Sequence, residues 1–454
     1  MKRILILMIV PAIFSCKSLD TNSLGTAEEN LIPGSYIITL DDEEFVPIFK
    51  EFDKNEFLKD PEKQIQIKKS RIEEIQEFAL KYNITLSPED VFVYTSSGFY
   101  VDSLKEKTAK KLLKKKKKVS DVQQDFTIQD IRARMQHVGP LPQHIRARMQ
   151  EELRHVYDTV LFSSKSIIYV GGGQNQIETD RKIWIVDSGI DSTHQDLRGQ
   201  VDSVLSRSWV KFRPEEMYPL EEKNPFIDFI GHGTHCAGAA AGRAYNQGQP
   251  NNERLIGMNG VSPGAKLVSL KVFANDRTAK WNWIKFALEY VGEKSTRNDV
   301  VSLSLGGFGR NSITDKIEDQ LEILDSLGIF VVMAAGNGKE GVGVHVRDFF
   351  PASVDGLNRV LTIGSFRLDS QYPENPPSFS VFSNFGHELD YVAPGELVFS
   401  TFPGNRYAVS SGTSVATAIV AGIIHANNGL PAERTEKVLG PPGTKPYTIP
   451  RRTY

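Results

Sequence analysis

Two short apolar runs constrain this chain more than anything else in it. Lys182–Val186 (KIWIV) and Val331–Ala335 (VVMAA) are almost wholly apolar, and polar residues follow closely, Asp187 after the first and Asn337 after the second. Runs of this length without alternation suit strands buried on both faces, the kind found in parallel sheets covered by helices. The small residues of Ala237–Gly242 suit a helix packed tightly against such a sheet. Open α/β sheets bind their ligands at the carboxyl ends of the strands, so Asp187 and Asn337 fall at the edge where chemistry is expected.

Around these runs lie four stretches in a fixed order: IWIVDSGID with Asp187, GHGTHCAG with His232, AAGN ending at Asn337, and SGTSVATA with Ser414. Any one of these residues alone is more often structural. Together they supply a carboxylate, a general base, an amide donor and a nucleophile. A serine hydroxyl attacks poorly at neutral pH unless an imidazole takes its proton. The imidazole in turn needs a buried carboxylate to hold its tautomer and stabilise the imidazolium.

From about residue 178 to 435 the chain resembles the subtilisin-like serine endopeptidases, closest in flavour to the proteinase K branch. Gly260–Phe273 (GVSPGAKLVSLKVF), Ser302–Gly307 (SLSLGG), Phe379–Gly386 (FSVFSNFG) and Val392–Gly395 (VAPG) match further blocks of that family. The resemblance implies a three-layer α/β sandwich with a mainly parallel sheet. It makes Asp187, His232 and Ser414 the catalytic triad and Asn337 the oxyanion donor. In the pattern H-G-T-H the first histidine is the base, so His235 becomes structural and Cys236 a small buried neighbour. An extended polypeptide is the implied substrate, with Ser302, Leu303, Gly306, Ala335 and Gly336 along its pocket and Phe349 and Phe350 at the floor. The family motif G-T-S-x-A-x-P is broken at Ala418, where alanine keeps the expected helix Ser414–His425 intact. Calcium is common in the family and a structural calcium is allowed, but Asp390 alone is too little to assign one, and no metal ligands are named.

The 454 residues suggest two or three units. A net charge of −2 argues against a general nucleic-acid binder. With only two cysteines, Cys16 and Cys236, no disulfide framework is expected. Residues 1–15 read as a signal peptide: Lys2-Arg3, then an apolar stretch Ile4–Phe14 too short to span a bilayer. Ile13-Phe14-Ser15-Cys16 resembles a bacterial lipobox, so Cys16 is the expected lipidation site. The chain is then extracytoplasmic and lipid-anchored to a membrane, with plain secretion as the alternative. Residues 16–33 form a tether.

Residues 34–129 resemble the inhibitory propeptide of the same family, a small ferredoxin-like α+β domain that would act as the chain's own intramolecular inhibitor. Its expected pieces are a strand at Tyr36–Leu40, a helix over Gln64–Tyr82, strands at Val91–Tyr94 and Ser97–Val101, a helix over Ser103–Lys118 and a segment Val119–Gln124. The five lysines Lys114–Lys118 suit the solvated end of that helix, where cations favour the dipole, better than a polyanion site. Residues 130–177 read as a linker and entry segment with one duplication, Ile131–Gln136 and Ile145–Gln150 (IRARMQ), and a maturation cut is expected within Gln123–Gln150. Residues 178–454 form the catalytic domain. Two other readings stay open: a surface lipoprotein whose protease fold serves only binding, and an enzyme kept latent until another protease cuts it.

Overall fold

In the computed structural model the described residues are 31–57, 60–94, 96–129, 134–138, 155–174, 176, 179–210, 223–245, 257–309, 312–369 and 372–453. Cys16, the signal, the tether and most of the duplicated linker lie outside them. Among the described residues no helix is long and apolar enough to cross a membrane.

The amino-terminal unit runs β1 (Leu31–Leu40), α1 (Pro61–Leu80), β2 (Val91–Phe92), β3 (Gly98–Val101), α2 (Glu106–Leu113) and β4 (Val119–Gln129). All its pairings are antiparallel, in the order β4-β1-β3-β2. That succession is the ferredoxin-like β-α-β-β-α-β arrangement. Asp60 caps α1 by accepting the Lys63 N–H at 3.0 Å, and Pro61 follows at the first helical position. The helix expected over Ser103–Lys118 is shorter, because α2 stops at Leu113 and the lysine run forms the turns after it. Consecutive like charges at helical spacing repel, and outside the helix each ammonium keeps its water.

In the larger unit, β6 (Lys182–Asp187), β7 (Lys266–Lys271), β9 (Val300–Leu303), β10 (Phe330–Ala334) and β11 (Val360–Arg367) form a parallel sheet, while β5 (Arg134–Val138) and β8 (Thr278–Lys280) lie outside it. The order is β11-β10-β9-β6-β7. A short antiparallel strand, β12 (Ser378–Phe379), closes one edge, and β13 (Tyr391–Pro394) pairs parallel to β11. Alternate residues of each strand enter two different cores. Ile183 and Ile185 join the helices α3 (His232–Ala241) and α6 (Thr413–Asn427), whereas Trp184 and Val186 join α4 (Trp281–Lys294) and α5 (Ser312–Ser326). Two covered faces explain why KIWIV has no polar partner row.

The strand order reverses around β6, with β7 on one side and β9 on the other. A crevice at the carboxyl ends of the strands is the expected consequence of such a switch point. Asp187 ends β6 there.

The entry part of residues 130–177 is packed into the larger unit. Tyr157, Ile167, Tyr169 and Val170 belong to the same core as α3 and α6, so the packing of the larger unit begins well before residue 178. Arg134–Val138 forms β5, which pairs antiparallel with β15 (Arg406–Ser411), itself the hairpin partner of β14 (Val398–Phe402). On the other side, the end of β4 pairs with β8 (Thr278–Lys280).

Candidate active site

Asp187 leaves the end of β6 fully buried, and His232 opens α3 with 1% exposure. Nδ1 of His232 lies 2.9 Å from both carboxylate oxygens of Asp187. Asp187 also accepts the Ser188 N–H at 2.7 Å, so the carboxylate is held from two sides. The donor to Asp187 being Nδ1 leaves Nε2 as the nitrogen able to take a proton from a nucleophile.

Close approach is what makes this pairing possible. A Cβ on Gly233 would sit 2.2 Å from the Gly189 carbonyl oxygen and 3.1 Å from Asp187 Cβ, so only glycine lets α3 start here. Behind it, Asp228 forms a hub that sequence reading missed. Its carboxylate accepts the Ser188 hydroxyl, the N–H groups of Ile230, Gly231 and Thr234, and the Thr234 hydroxyl, at 2.7 to 3.1 Å. The Ser188 hydroxyl in turn accepts the Gly233 N–H at 2.9 Å. This fixes the loop that delivers His232.

Ser414 lies in the first turn of α6, completely buried, at the positive end of the macrodipole. Its carbonyl accepts the Ser304 hydroxyl at 3.0 Å, and Cys236 Sγ on α3 lies 3.9 Å from it. The helix that begins with His232 therefore touches the helix that presents Ser414. Cys236 forms no disulfide among the described residues and is buried, as a small neighbour. Ala418 leaves α6 unbroken through Asn427, two residues longer than its expected end.

Asn337 follows β10. Its Oδ1 accepts both the backbone N–H and the hydroxyl of Thr413, each at 2.9 Å. That assignment turns Nδ2 the other way, and Nδ2 is buried with no hydrogen-bond acceptor among the described residues. The Ser414 hydroxyl is likewise buried and makes no hydrogen bond among them. Thr413 was legible as part of the quoted motif, but its part in orienting Asn337 was not.

His235 accepts no such role. Its Nε2 meets the Val398 carbonyl at 3.2 Å, and burial, helped by the neighbouring His232, pushes its pKa down to about 4. It is a neutral structural histidine.

A family model described as "Subtilase family" matches residues 179–427, more than half of the chain. The chain belongs to the subtilase family. "Intracellular serine protease" of Paenibacillus polymyxa is 31% identical over 245 residues, 54% of this chain and 65% of that one. "Subtilisin amylosacchariticus" of Bacillus subtilis subsp. amylosacchariticus is 35% identical over 242 residues, 53% of each chain. The aligned part thus spans between about half and two thirds of these relatives. A solved "cold adapted subtilisin-like serine proteinase" aligns with a TM-score of 0.45 and 20% identity, over 62% of this chain and 96% of that chain.

The expected pocket residues of this subtilase divide. Gly306 and Gly336 face a common space, because a Cβ on either would meet the Phe349 ring, at 2.3 and 2.9 Å. Phe349 therefore fills the gap between the two glycine walls. Phe350 instead packs on Trp281, ring centroids 5.4 Å apart. Ala335 is buried, its carbonyl accepting the Asn384 side-chain amide at 2.7 Å. Ser302 is buried in β9, and the Leu303 side chain belongs to the core under α4 and α5, so Leu303 can serve a substrate only through its backbone.

The calcium suggested by the family finds little support at Asp390. Its carboxylate accepts the Thr362 N–H at 2.8 Å, and burial pushes its pKa up to about 6. A calcium ligand stays ionised and shares the ion with several other oxygens. Asp390 joins no cluster of three or more metal-ligating side chains among the described residues, so it does not fit.

Proposed function

We infer that this subtilase is a serine endopeptidase that works through an acyl-enzyme and is made as a proenzyme. The observation that carries the reading is the Asn337 amide, locked by Thr413 with its N–H donors unspent one residue from the Ser414 hydroxyl. His232 Nε2 takes the Ser414 proton as Oγ attacks the scissile carbonyl carbon, and the carbonyl oxygen becomes an oxyanion. Asn337 Nδ2 and the Ser414 N–H donate to that oxyanion. His232 then gives the proton to the leaving amine, the C–N bond breaks, and an ester to Ser414 remains. Water, deprotonated by His232, hydrolyses the ester. Asp187 stays ionised throughout and holds the imidazolium.

Backbone pairing supports the proenzyme half of the reading. Thr127, Ile128 and Gln129 pair with Lys280, Ala279 and Thr278, and Arg134–Val138 pairs with Ser411–Tyr407 just ahead of Ser414. An extended substrate would add strands in the same way. Residues 34–129 then act as inhibitory propeptide, and within the expected span Gln123–Gln150 the maturation cut falls between Gln129 and Arg134. Beyond this, Cys16 carries the lipid that anchors the enzyme outside the cytoplasm, and Cys236 after His235 supports the proteinase K branch.

The test is labelling of the full chain with a fluorophosphonate probe, beside Ser414→Ala, with amino-terminal sequencing of each fragment. Labelling lost in the variant, with a new terminus between residues 130 and 134, is expected. A Ser414→Ala chain cut at the same place would assign the cut to another protease and make the enzyme latent by design. Absence of labelling before and after cutting would refute the catalytic reading. Metabolic palmitate labelling that persists in Cys16→Ala would refute the anchor.

A further inference from the structure

The geometry points to a transition-metal site, best suited to Zn²⁺, formed by His345, His387 and Glu388, apart from the catalytic groups. One nitrogen or oxygen of each lies within 4.8 Å of the others. His387 Nδ1 is 3.4 Å from Glu388 Oε2, and His345 Nδ1 is 3.9 Å from Glu388 Oε1. Tetrahedral zinc with bonds of about 2.0–2.1 Å holds neighbouring ligand atoms ~3.3 Å apart. The His387–Oε2 pair already has that spacing, His345 lies against the other carboxylate oxygen, and a turn of the Glu388 carboxylate with the exposed His387 ring would bring both nitrogens around one ion.

Three observations point to an ion rather than to a plain cluster of charges. Glu388 is only 7% exposed, yet its Oε2 makes no hydrogen bond among the described residues. A buried carboxylate oxygen in that state is costly unless something positive meets it. Next, residue 386 is glycine where a Cβ would stand 2.3 Å from Glu388 Oε2 and 2.8 Å from His345 Cε1. A side chain there would fill the space between carboxylate and imidazole. Last, among the described residues His345 Nδ1 accepts only the long Arg347 N–H bond of 3.3 Å, and its lone pair faces the Glu388 carboxylate side of the site. A metal would exchange that long bond for a coordinate one.

The frame around the site is built before any ion arrives. Val346 N–H donates to the Phe385 carbonyl at 2.8 Å and Phe385 N–H to the Val344 carbonyl at 3.0 Å, so the two ligand-bearing segments are already paired. The Tyr447 hydroxyl bonds both the N–H and the carbonyl of Gly386, at 3.1 and 3.2 Å. Two imidazoles and one carboxylate suit zinc and its neighbours, whereas magnesium and calcium want oxygen alone. With three protein ligands, the fourth position goes to water. The cluster Asp187, His232 and Cys236 also has metal-ligand spacing, but all three are buried and the first two are already paired.

Zinc here would tie two parts of the pocket together. His345 lies four residues before Phe349, which packs on Gly306 and Gly336. The partner segment contains Asn384, whose N–H donates to the Gly336 carbonyl and whose amide donates to that of Ala335.

The test titrates ZnCl2 into the full chain carrying Ser414→Ala, so that self-cleavage cannot intervene, following heat by calorimetry and the melting temperature. One equivalent of bound zinc and a raised melting temperature are expected, with no response to CaCl2 or MgCl2. Glu388→Gln and His345→Ala should each weaken binding by at least about tenfold. His387→Ala, whose side chain is 74% exposed, should do the same and keep the apo melting temperature. Cobalt(II) should give a tetrahedral visible absorption that His387→Ala abolishes. No zinc binding, or zinc binding that all three substitutions leave unchanged, would overturn the assignment.

Discussion

Thr413→Val tests whether orientation of the Asn337 amide, and not merely its presence, sets the rate. Valine keeps the shape of this fully buried side chain and removes only the hydroxyl. That hydroxyl accepts the Gly336 N–H at 3.1 Å and donates to Asn337 Oδ1 at 2.9 Å. The Thr413 backbone N–H still holds Oδ1 at 2.9 Å, so the proposed oxyanion donor is loosened and not lost. One neutral hydrogen bond is worth about 0.5–1.5 kcal/mol, and the orphaned Gly336 N–H costs roughly 1–3 kcal/mol of stability. At 1.36 kcal/mol per decade the rate should fall by about three- to tenfold, with KM nearly unchanged. Losing the donor outright, in Asn337→Ala, should cost about 10²–10³ in kcat, a figure taken over from a subtilisin. The assay is steady-state cleavage of a chromogenic peptide by wild type, both single variants and the double variant. Because Thr413 is argued to act through Asn337, Thr413→Val should have little further effect on kcat in the Asn337→Ala background. An undiminished effect there would refute the reasoning.

Phe349→Ala opens the space between Gly306 and Gly336, so preference before the cleaved bond should move from small to large apolar side chains, read by a peptide library; melting should show a loss of about 3–5 kcal/mol. Ala418→Pro should be unusually mild, below ~1.5 kcal/mol against the roughly 3 kcal/mol of an ordinary helix interior, because the Ser414 carbonyl it would deprive already accepts from Ser304. Burial pushes the His425 pKa down to about 4, so the unfolded chain binds the proton that the folded one refuses. Wild type should therefore lose stability relative to His425→Gln as pH falls from 6.5 to about 4, by up to ~3 kcal/mol, with a flat difference above 6.5 in urea titrations. Lys68→Ala removes contacts of 3.1 and 3.3 Å to Glu293 across the two units; the cut amino-terminal unit should dissociate a few-fold faster, by up to ~1 kcal/mol, and less so in high salt.

What could be read from the sequence follows from how local each signal is. KIWIV and VVMAA announced buried strands because burial on both faces leaves no room for alternation, and Asp187 and Asn337 stand where those strands end. The Ser414 helix was placed to within two residues at its end. Strand β5 was read as linker because RMQHV has little strand character of its own and owes its extended form to pairing with β15. Leu303 was assigned to the pocket by position, but the period of two sends adjacent strand residues to opposite faces, and its neighbours Val186 and Met333 claim it for the core. Asp228 gave no local sign, since its meaning lies in five contacts made by a loop that only the fold assembles around it.

The spacing between the proposed base and nucleophile is stored away from both of them. His232 and Ser414 open two helices that belong to different parts of the chain, and nothing covalent relates their positions. Their distance depends on how closely α3 and α6 lie. At Gly422 on α6 a Cβ would stand 2.7 Å from the Ala240 carbonyl oxygen of α3, and at Gly238 on α3 it would stand 2.1 Å from the Thr401 hydroxyl of β14. Small residues thus let backbone touch backbone, and packed interiors do not stretch to absorb even one methyl group. A shift of about 1 Å in such a frame is enough to lose roughly 10²-fold in rate. The run Ala237–Gly242 therefore belongs to the proposed catalytic apparatus in the same sense as Asp228: it positions the helices, and it decides whether an imidazole and a hydroxyl meet.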